Sequence, residues 1–122
     1  ILQAKNCNFQ FLPETIGHNL CRLVVLDLSH NNLRRLPNSV CCIITLRHLN
    51  VSYNSVHSLP MDIGLLRDLE VLNVSHNHIK VLPSSIINCS KLQVIDLYGN
   101  QQIQNIPHDL SLRLKNLHTL TL

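Results

Sequence analysis

Leu23, Leu46, Leu69 and Leu92 stand 23 residues apart, and equal steps in succession impose one period on whatever the chain folds into. Each opens the same wording, L-x-x-L-x-L-x-x-N-x-L-x-x-L-P-x-x-I. The first copy carries Leu23, Leu26, Leu28, Asn31, Leu33, Leu36, Pro37 and Val40. The second carries Leu46, Leu49, Val51, Asn54, Val56, Leu59, Pro60 and Ile63, and the third Leu69, Leu72, Val74, Asn77, Ile79, Leu82, Pro83 and Ile86. The fourth keeps Leu92, Ile95, Leu97 and Asn100, gains one residue before Ile103, Ile106 and Pro107 and another before Leu114, and so reaches 25 residues. Upstream, Leu2, Ala4, Cys7, Phe9, Leu12, Pro13 and Ile16 fall into register without the opening Leu; downstream, Leu117, Leu120 and Leu122 begin a further copy. Residues 1–122 therefore read as one repeat domain: a partial repeat 1–22, full repeats 23–45, 46–68, 69–91 and 92–116, and a partial repeat 117–122. The first residues already lie inside a repeat, so the chain reads as a fragment. Two ends without polar caps predict marginal stability and association through terminal strands.

A unit this short cannot bury its own core, so neighbouring copies must stack. Within each copy the L-x-L segment alternates apolar and polar residues, which is a strand with one buried face. The Asn that follows is small and both donates and accepts, so it can satisfy the backbone of a tight bend; losing it would cost about 1–3 kcal/mol. The Pro lacks an N–H and fixes φ, which suits an irregular or helical return and not a paired strand. With 45% hydrophobic residues but only 3% aromatic and no Trp, the core must be filled by Leu, Ile and Val. The expected fold is an α/β solenoid, with a curved parallel sheet on the concave side and irregular, 3-10 or helical returns on the convex side.

These residues resemble the leucine-rich repeat superfamily over the whole chain. The 23-residue period, with L-P followed three positions later by an apolar residue, is similar to its intracellular branch. Within that branch, L-V-V-L-D-L-S-H-N at 23–31, L-R-H-L-N-V-S at 46–52 and L-P-S-S-I at 82–86 are similar to two groups. The irregular stretch Asp96-Leu97-Tyr98-Gly99-Asn100-Gln101-Gln102-Ile103, and Leu2-Gln3 leading into Phe9 and Leu12-Pro13, resemble the plant nucleotide-binding leucine-rich repeat disease-resistance receptors. The Ser-His-Asn bends at 29–31 and 75–77 resemble the Ras-group leucine-rich repeat scaffold proteins. The resemblance implies a protein–protein recognition module of an intracellular signalling protein, first the sensing region of a plant disease-resistance protein. The alternatives are a Ras-group scaffold, or the substrate-docking arm of a kinase, phosphatase complex or ubiquitin ligase.

Charge and motifs exclude several other roles. The formal charge of +3 comes from ten Lys and Arg spread along the chain, with Arg34-Arg35 the one adjacent pair, which is no nucleic-acid footprint. No apolar run approaches the roughly 18 residues of a membrane span, so no membrane insertion is expected. With only Gly17, Gly64 and Gly99 there is no phosphate-binding loop, and no cofactor is expected. Cys7, Cys21, Cys41, Cys42 and Cys89 form neither a metal-type spacing nor a paired framework, and read as reduced, mainly buried structural thiols of a cytoplasmic protein. Asn50-Val51-Ser52, Asn73-Val74-Ser75 and Asn88-Cys89-Ser90 match the glycosylation acceptor pattern. The first two arise from the repeat wording itself; if used, they would crowd the concave face and indicate a secreted protein.

Binding is expected where the strands' non-core positions align in columns. One column is Val25, His48, Val71 and Val94, and the next Asp27, Asn50, Asn73 and Asp96. Beyond them lie Ser29, Ser52, Ser75 and Tyr98, then His30, Tyr53, His76 and Gly99. Six strands about 4.8 Å apart span roughly 24 Å, enough for a peptide or one face of a small domain. The candidate concave-face residues are Val25, Asp27, His48, Asn50, Tyr53, Val71, Asn73, His76, Val94, Asp96 and Tyr98, with Asn31, Asn54, Asn77 and Asn100 as bend residues. Exposed Val flanked by Tyr53 and Tyr98 suits a contact surface, although Val also simply favours strands. The Asp and Asn column either selects a partly basic partner or is a solvated face. Among eight His, His30 and His76 lie two repeats, roughly 10 Å, apart with Tyr53 between them, too far to share zinc at about 2.1 Å. No metal site is expected, and with no convergent Ser, His and carboxylate set, no enzymatic activity either.

Overall fold

A computed structural model describes all residues, 1–122. Six short strands, β1 (Leu2–Gln3), β2 (Val25–Asp27), β3 (His48–Asn50), β4 (Val71–Asn73), β5 (Val94–Asp96) and β6 (Thr119–Thr121), form one parallel sheet in chain order. The register advances by whole repeats, Val25 opposite His48, His48 opposite Val71 and Val71 opposite Val94. The fold is thus the leucine-rich repeat solenoid expected from the period.

The central residue of each strand from β2 to β5, Leu26, Leu49, Leu72 and Ile95, is fully buried, as the alternating pattern requires. Behind the sheet, Leu46, Leu69 and Leu92, then Leu33, Val56 and Ile79, then Val40, Ile63 and Ile86 add further buried rows. The core therefore runs unbroken along the stack, each repeat supplying the wall that its neighbour lacks.

The prolines start the returns. In every repeat the Pro carbonyl accepts the N–H three residues on: Pro13 from Ile16, Pro37 from Val40, Pro60 from Ile63, Pro83 from Ile86 and Pro107 from Leu110, each at 3.1 Å. Pro37 and Pro83, at φ −60° and −58°, sit immediately before the 3-10 helices Asn38–Cys42 and Ser84–Asn88, because the ring presets the first φ of a turn. A 3-10 turn Ile63–Leu65 and two one-turn helices, α1 (Ile16–Asn19) and α2 (Leu110–Arg113), complete the return layer. Helical turns are thicker than strands, so stacking splays the return side and makes the sheet side concave.

Cys41 and Cys89 are buried, while Cys7, Cys21 and Cys42 are exposed, so the expectation of mainly buried thiols holds for two of the five. Cys7 lacks the amide that draws Asn31 and its equivalents inward, and Cys42 ends a 3-10 helix whose other face packs on the core. Burial pushes the Cys41 and Cys89 thiols up to about 12, so they stay protonated and unreactive.

Candidate functional site

Three features at the end of each strand from β2 to β5 build the concave surface: an Asp or Asn, a residue in the left-handed region, and the buried bend Asn. The first closes the strand. Oδ1 of Asp27, Asn50, Asn73 and Asp96 accepts the backbone N–H two residues on, from Ser29, Ser52, Ser75 and Tyr98, at 2.9–3.0 Å. This side-chain turn draws the chain inward, so Leu28 and Ser29 are buried in succession, as are Val51 and Ser52, and Val74 and Ser75. The serines therefore do not belong to the concave grid, contrary to the strict alternation expected there. The Asp and Asn column is half-buried and already uses one oxygen per residue internally.

Next come His30, Tyr53 and His76, with φ of 55°, 55° and 53°, and Gly99 with φ of 79°. The left-handed region is uncommon for side-chain-bearing residues, though less so for His. Here it turns the rings along the stacking axis. Tyr53 is sandwiched: its ring centroid lies 4.3 Å from that of His30 and 4.2 Å from that of His76, at interplanar angles of 11° and 13°. Tyr98 meets His76 edge-on at 5.3 Å. Sequence reasoning put Tyr53 between two histidines but missed the stack, which depends on the positive φ. Gly99 ends the stack, since a Cβ there would fall 2.8 Å from Nδ1 of His76.

The bend asparagines stitch repeat to repeat. Asn54 Nδ2 donates to the carbonyls of Val51 and Ser52 in its own copy and of Leu28 in the preceding one, at 3.0, 3.2 and 3.0 Å, while its Oδ1 accepts Leu33 N–H at 3.0 Å. Asn77 repeats the pattern on Val74, Ser75, Val51 and Val56. Asn100 bonds Leu97, Val74 and Ile79, and Asn31 bonds Leu28, Ser29, Ala4, Cys7 and Phe9.

On the sheet, Val25, Val71 and Val94 are half-buried and His48 is exposed. The valines show less surface than free-standing strand positions would, because neighbours on adjacent strands shield them. A shallow depression of about 220 Å³ lies over β2 to β4, lined by Val25, His48 and Val71 and by Asp27, Asn50 and Asn73. Glu70 borders it, 4.0 Å from His48 Nε2 and 3.8 Å from Arg47. The sheet register thus joins the two sequence columns in one surface, while Tyr53, His76 and Tyr98 form the separate aromatic row beyond the strand ends. No three His, Cys, Asp or Glu side chains come together as a ligand set; His30 and His76 are each committed to a face of Tyr53.

A family model described as leucine-rich repeat region matches residues 38–122, and a second leucine-rich repeat model matches residues 1–56. Among curated proteins, plant intracellular Ras-group-related LRR protein 8 of Arabidopsis thaliana is 41% identical over 49 residues, 40% of this chain and 13% of that protein. Among solved structures, a leucine-rich repeat protein of Leptospira interrogans superposes with a TM-score of 0.79 at 27% identity, over 89% of this chain and 28% of that one. The ectodomain of the Arabidopsis thaliana membrane receptor kinase GASSHO1/SCHENGEN3, solved in complex with Casparian strip integrity factor 2, gives 0.78 at 30% identity, over 91% of this chain and 13% of that one. The chain spans only a minor part of each relative's length.

Proposed function

Since the chain belongs to the leucine-rich repeat family, we propose that it is the recognition segment of an intracellular signalling protein and binds a partner protein or peptide on its concave sheet. The register of the sheet carries this reading. It sets Val25, His48, Val71 and Val94 side by side as a half-apolar strip, bordered by the Asp and Asn column and, beyond the strand ends, by an aromatic row. Half-buried aliphatic side chains supply desolvation energy, and the polar border supplies orientation. The surface is preformed, so little ordering entropy opposes binding. Its contribution is recognition, with no chemistry of its own.

Two signalling contexts fit. The likeness to a plant intracellular Ras-group-related protein favours a scaffold of that kind in the cytoplasm. The extra residue between Asn100 and Ile103 favours the sensing repeats of a plant disease-resistance protein, and it falls beside Gly99, where the aromatic stack ends.

The test is affinity capture from plant cell extract by the full-length protein, comparing the parent with Val71→Asp and identifying retained proteins by mass spectrometry. Val71 is half-buried on the strand face, so the substitution preserves the circular dichroism of the fold while placing an anion in the apolar strip. A partner retained by the parent and lost from the variant is the expected result. Identical partners for both would defeat the concave-face reading.

A further inference from the structure

A second surface lies on the flank where the chain leaves the bends. Arg34, His57 and Lys80 follow directly on the buried Leu33, Val56 and Ile79, so they occupy one position in successive repeats, and all three are exposed. Backbone bonds running between repeats set the spacing of this row: Ser55 N–H donates to Leu33 O, His78 N–H to Val56 O and Gln104 N–H to Lys80 O, at 2.8, 2.9 and 2.6 Å.

Two hollows open on this flank. One, of about 490 Å³, is walled by His57, His76, His78, Lys80, Gln101 and Gln102. The other, of about 700 Å³, is walled by Gln10, Asn32, Arg34 and Arg35, with Phe11 at its rim. No Asp or Glu lines either hollow. The ion pairs of the chain join Arg35 to Glu14, Arg47 to Glu70, Lys91 to Asp68 and Arg113 to Asp109. Arg34 and Lys80 have no carboxylate partner.

We propose that this flank binds an extended acidic peptide segment of a protein partner, seating one carboxylate at Arg34 and another at Lys80. The two cations stand two repeats apart, roughly 10 Å. That matches residues i and i+3 of a peptide in the extended polyproline II form, where three residues of about 3.1 Å each make one turn and return the side chain to the same face. Chemistry favours a peptide over a nucleic acid. The side-chain amides of Gln10, Asn32, Gln101 and Gln102 both donate and accept, which complements a peptide backbone, whereas a phosphate backbone only accepts. Two fixed cations per roughly 10 Å also fall well short of the one charge per about 1.7 Å of duplex DNA. His57, His76 and His78 line the same space with no carboxylate among them, so no acidic side chain there opposes an incoming carboxylate. The surface meets the aromatic row at His76 but uses none of the strand positions of the concave sheet, and it does not depend on the reading of that face.

The test is fluorescence anisotropy with a dye-labelled, proline-rich peptide of about ten residues carrying Glu at every third position, so that the carboxylates share one face. The comparison ligands are its Gln counterpart and a uridine oligonucleotide of equal charge. The Glu peptide is expected to bind more tightly than the Gln peptide. Arg34→Glu and Lys80→Glu, both at exposed positions, should each weaken it roughly five- to tenfold. A peptide with Lys in place of Glu should gain affinity for Lys80→Glu, and Val71→Asp should leave Glu-peptide binding unchanged. Equal affinity for the Glu and Gln peptides, indifference to both charge reversals, or tighter binding of the oligonucleotide would overturn the proposal.

Discussion

Asn54 shows how much one side chain can hold in a repeat. It is 8% exposed and satisfies three carbonyls and one N–H across two copies. Removing its amide strands buried backbone groups that water cannot reach, and each stranded group costs about 1–3 kcal/mol. Asn54→Ala is therefore expected to lower stability by about 3 kcal/mol, read as a reduced urea midpoint at unchanged slope. A midpoint equal to the parent's would mean that water enters the bend and replaces the amide. Gln is no substitute, since its extra methylene pushes the same groups away from carbonyls fixed by the sheet register.

Each strand from β2 to β5 contributes one fully buried residue, yet the strands are not equivalent in what surrounds that residue. Leu72 of β4 lies between Leu49 and Ile95 in the sheet with core residues behind it. Leu72→Ala should cost about 2–5 kcal/mol by lost transfer energy and a residual cavity. Met61, 83% exposed on a return, provides the contrast, and Met61→Ala should stay within about 0.5 kcal/mol of the parent. Equal melting temperatures for the two variants would contradict a continuous core. The strands were legible in the sequence because burial follows their two-residue period, and the returns because Pro at a fixed offset starts a turn. Burial of Ser29, Ser52 and Ser75 was not legible, since it follows from side-chain turns at Asp27, Asn50 and Asn73 that break the alternation. Nor was the stacking of Tyr53 between His30 and His76, which requires a left-handed backbone that residue identity alone does not reveal. The two columns of the candidate face could be written down from spacing; the side-chain turns that already occupy the Asp and Asn oxygens could not.

At the scale of the molecule, the repeats are a one-dimensional stack whose stability is set by nearest-neighbour interfaces. The Asn ladder makes that coupling specific. Asn77 Nδ2 bonds the Val51 carbonyl, and Asn77 Oδ1 accepts Val56 N–H; both groups belong to the copy whose own bend is held by Asn54. Once Asn54 is gone and that copy has loosened, the bonds from Asn77 have less fixed structure to grip, so a second loss adds less than the first. Asn31 and Asn100 share no such partner: Asn31 bonds the partial repeat 1–22 and the first copy, Asn100 the third and fourth. Asn54→Ala combined with Asn77→Ala should therefore fall short of the sum of the single effects by about 0.5–3 kcal/mol, the range found for residues in one network, whereas Asn31→Ala with Asn100→Ala should add to within about 0.5 kcal/mol. Urea denaturation of the four single and two double variants measures both quantities. Coupling of equal size in the two pairs would show that the solenoid unfolds as one indivisible unit, with no nearest-neighbour structure to its stability. Additivity in both would show that each bend stands alone, and that the cross-repeat bonds do not transmit a loss.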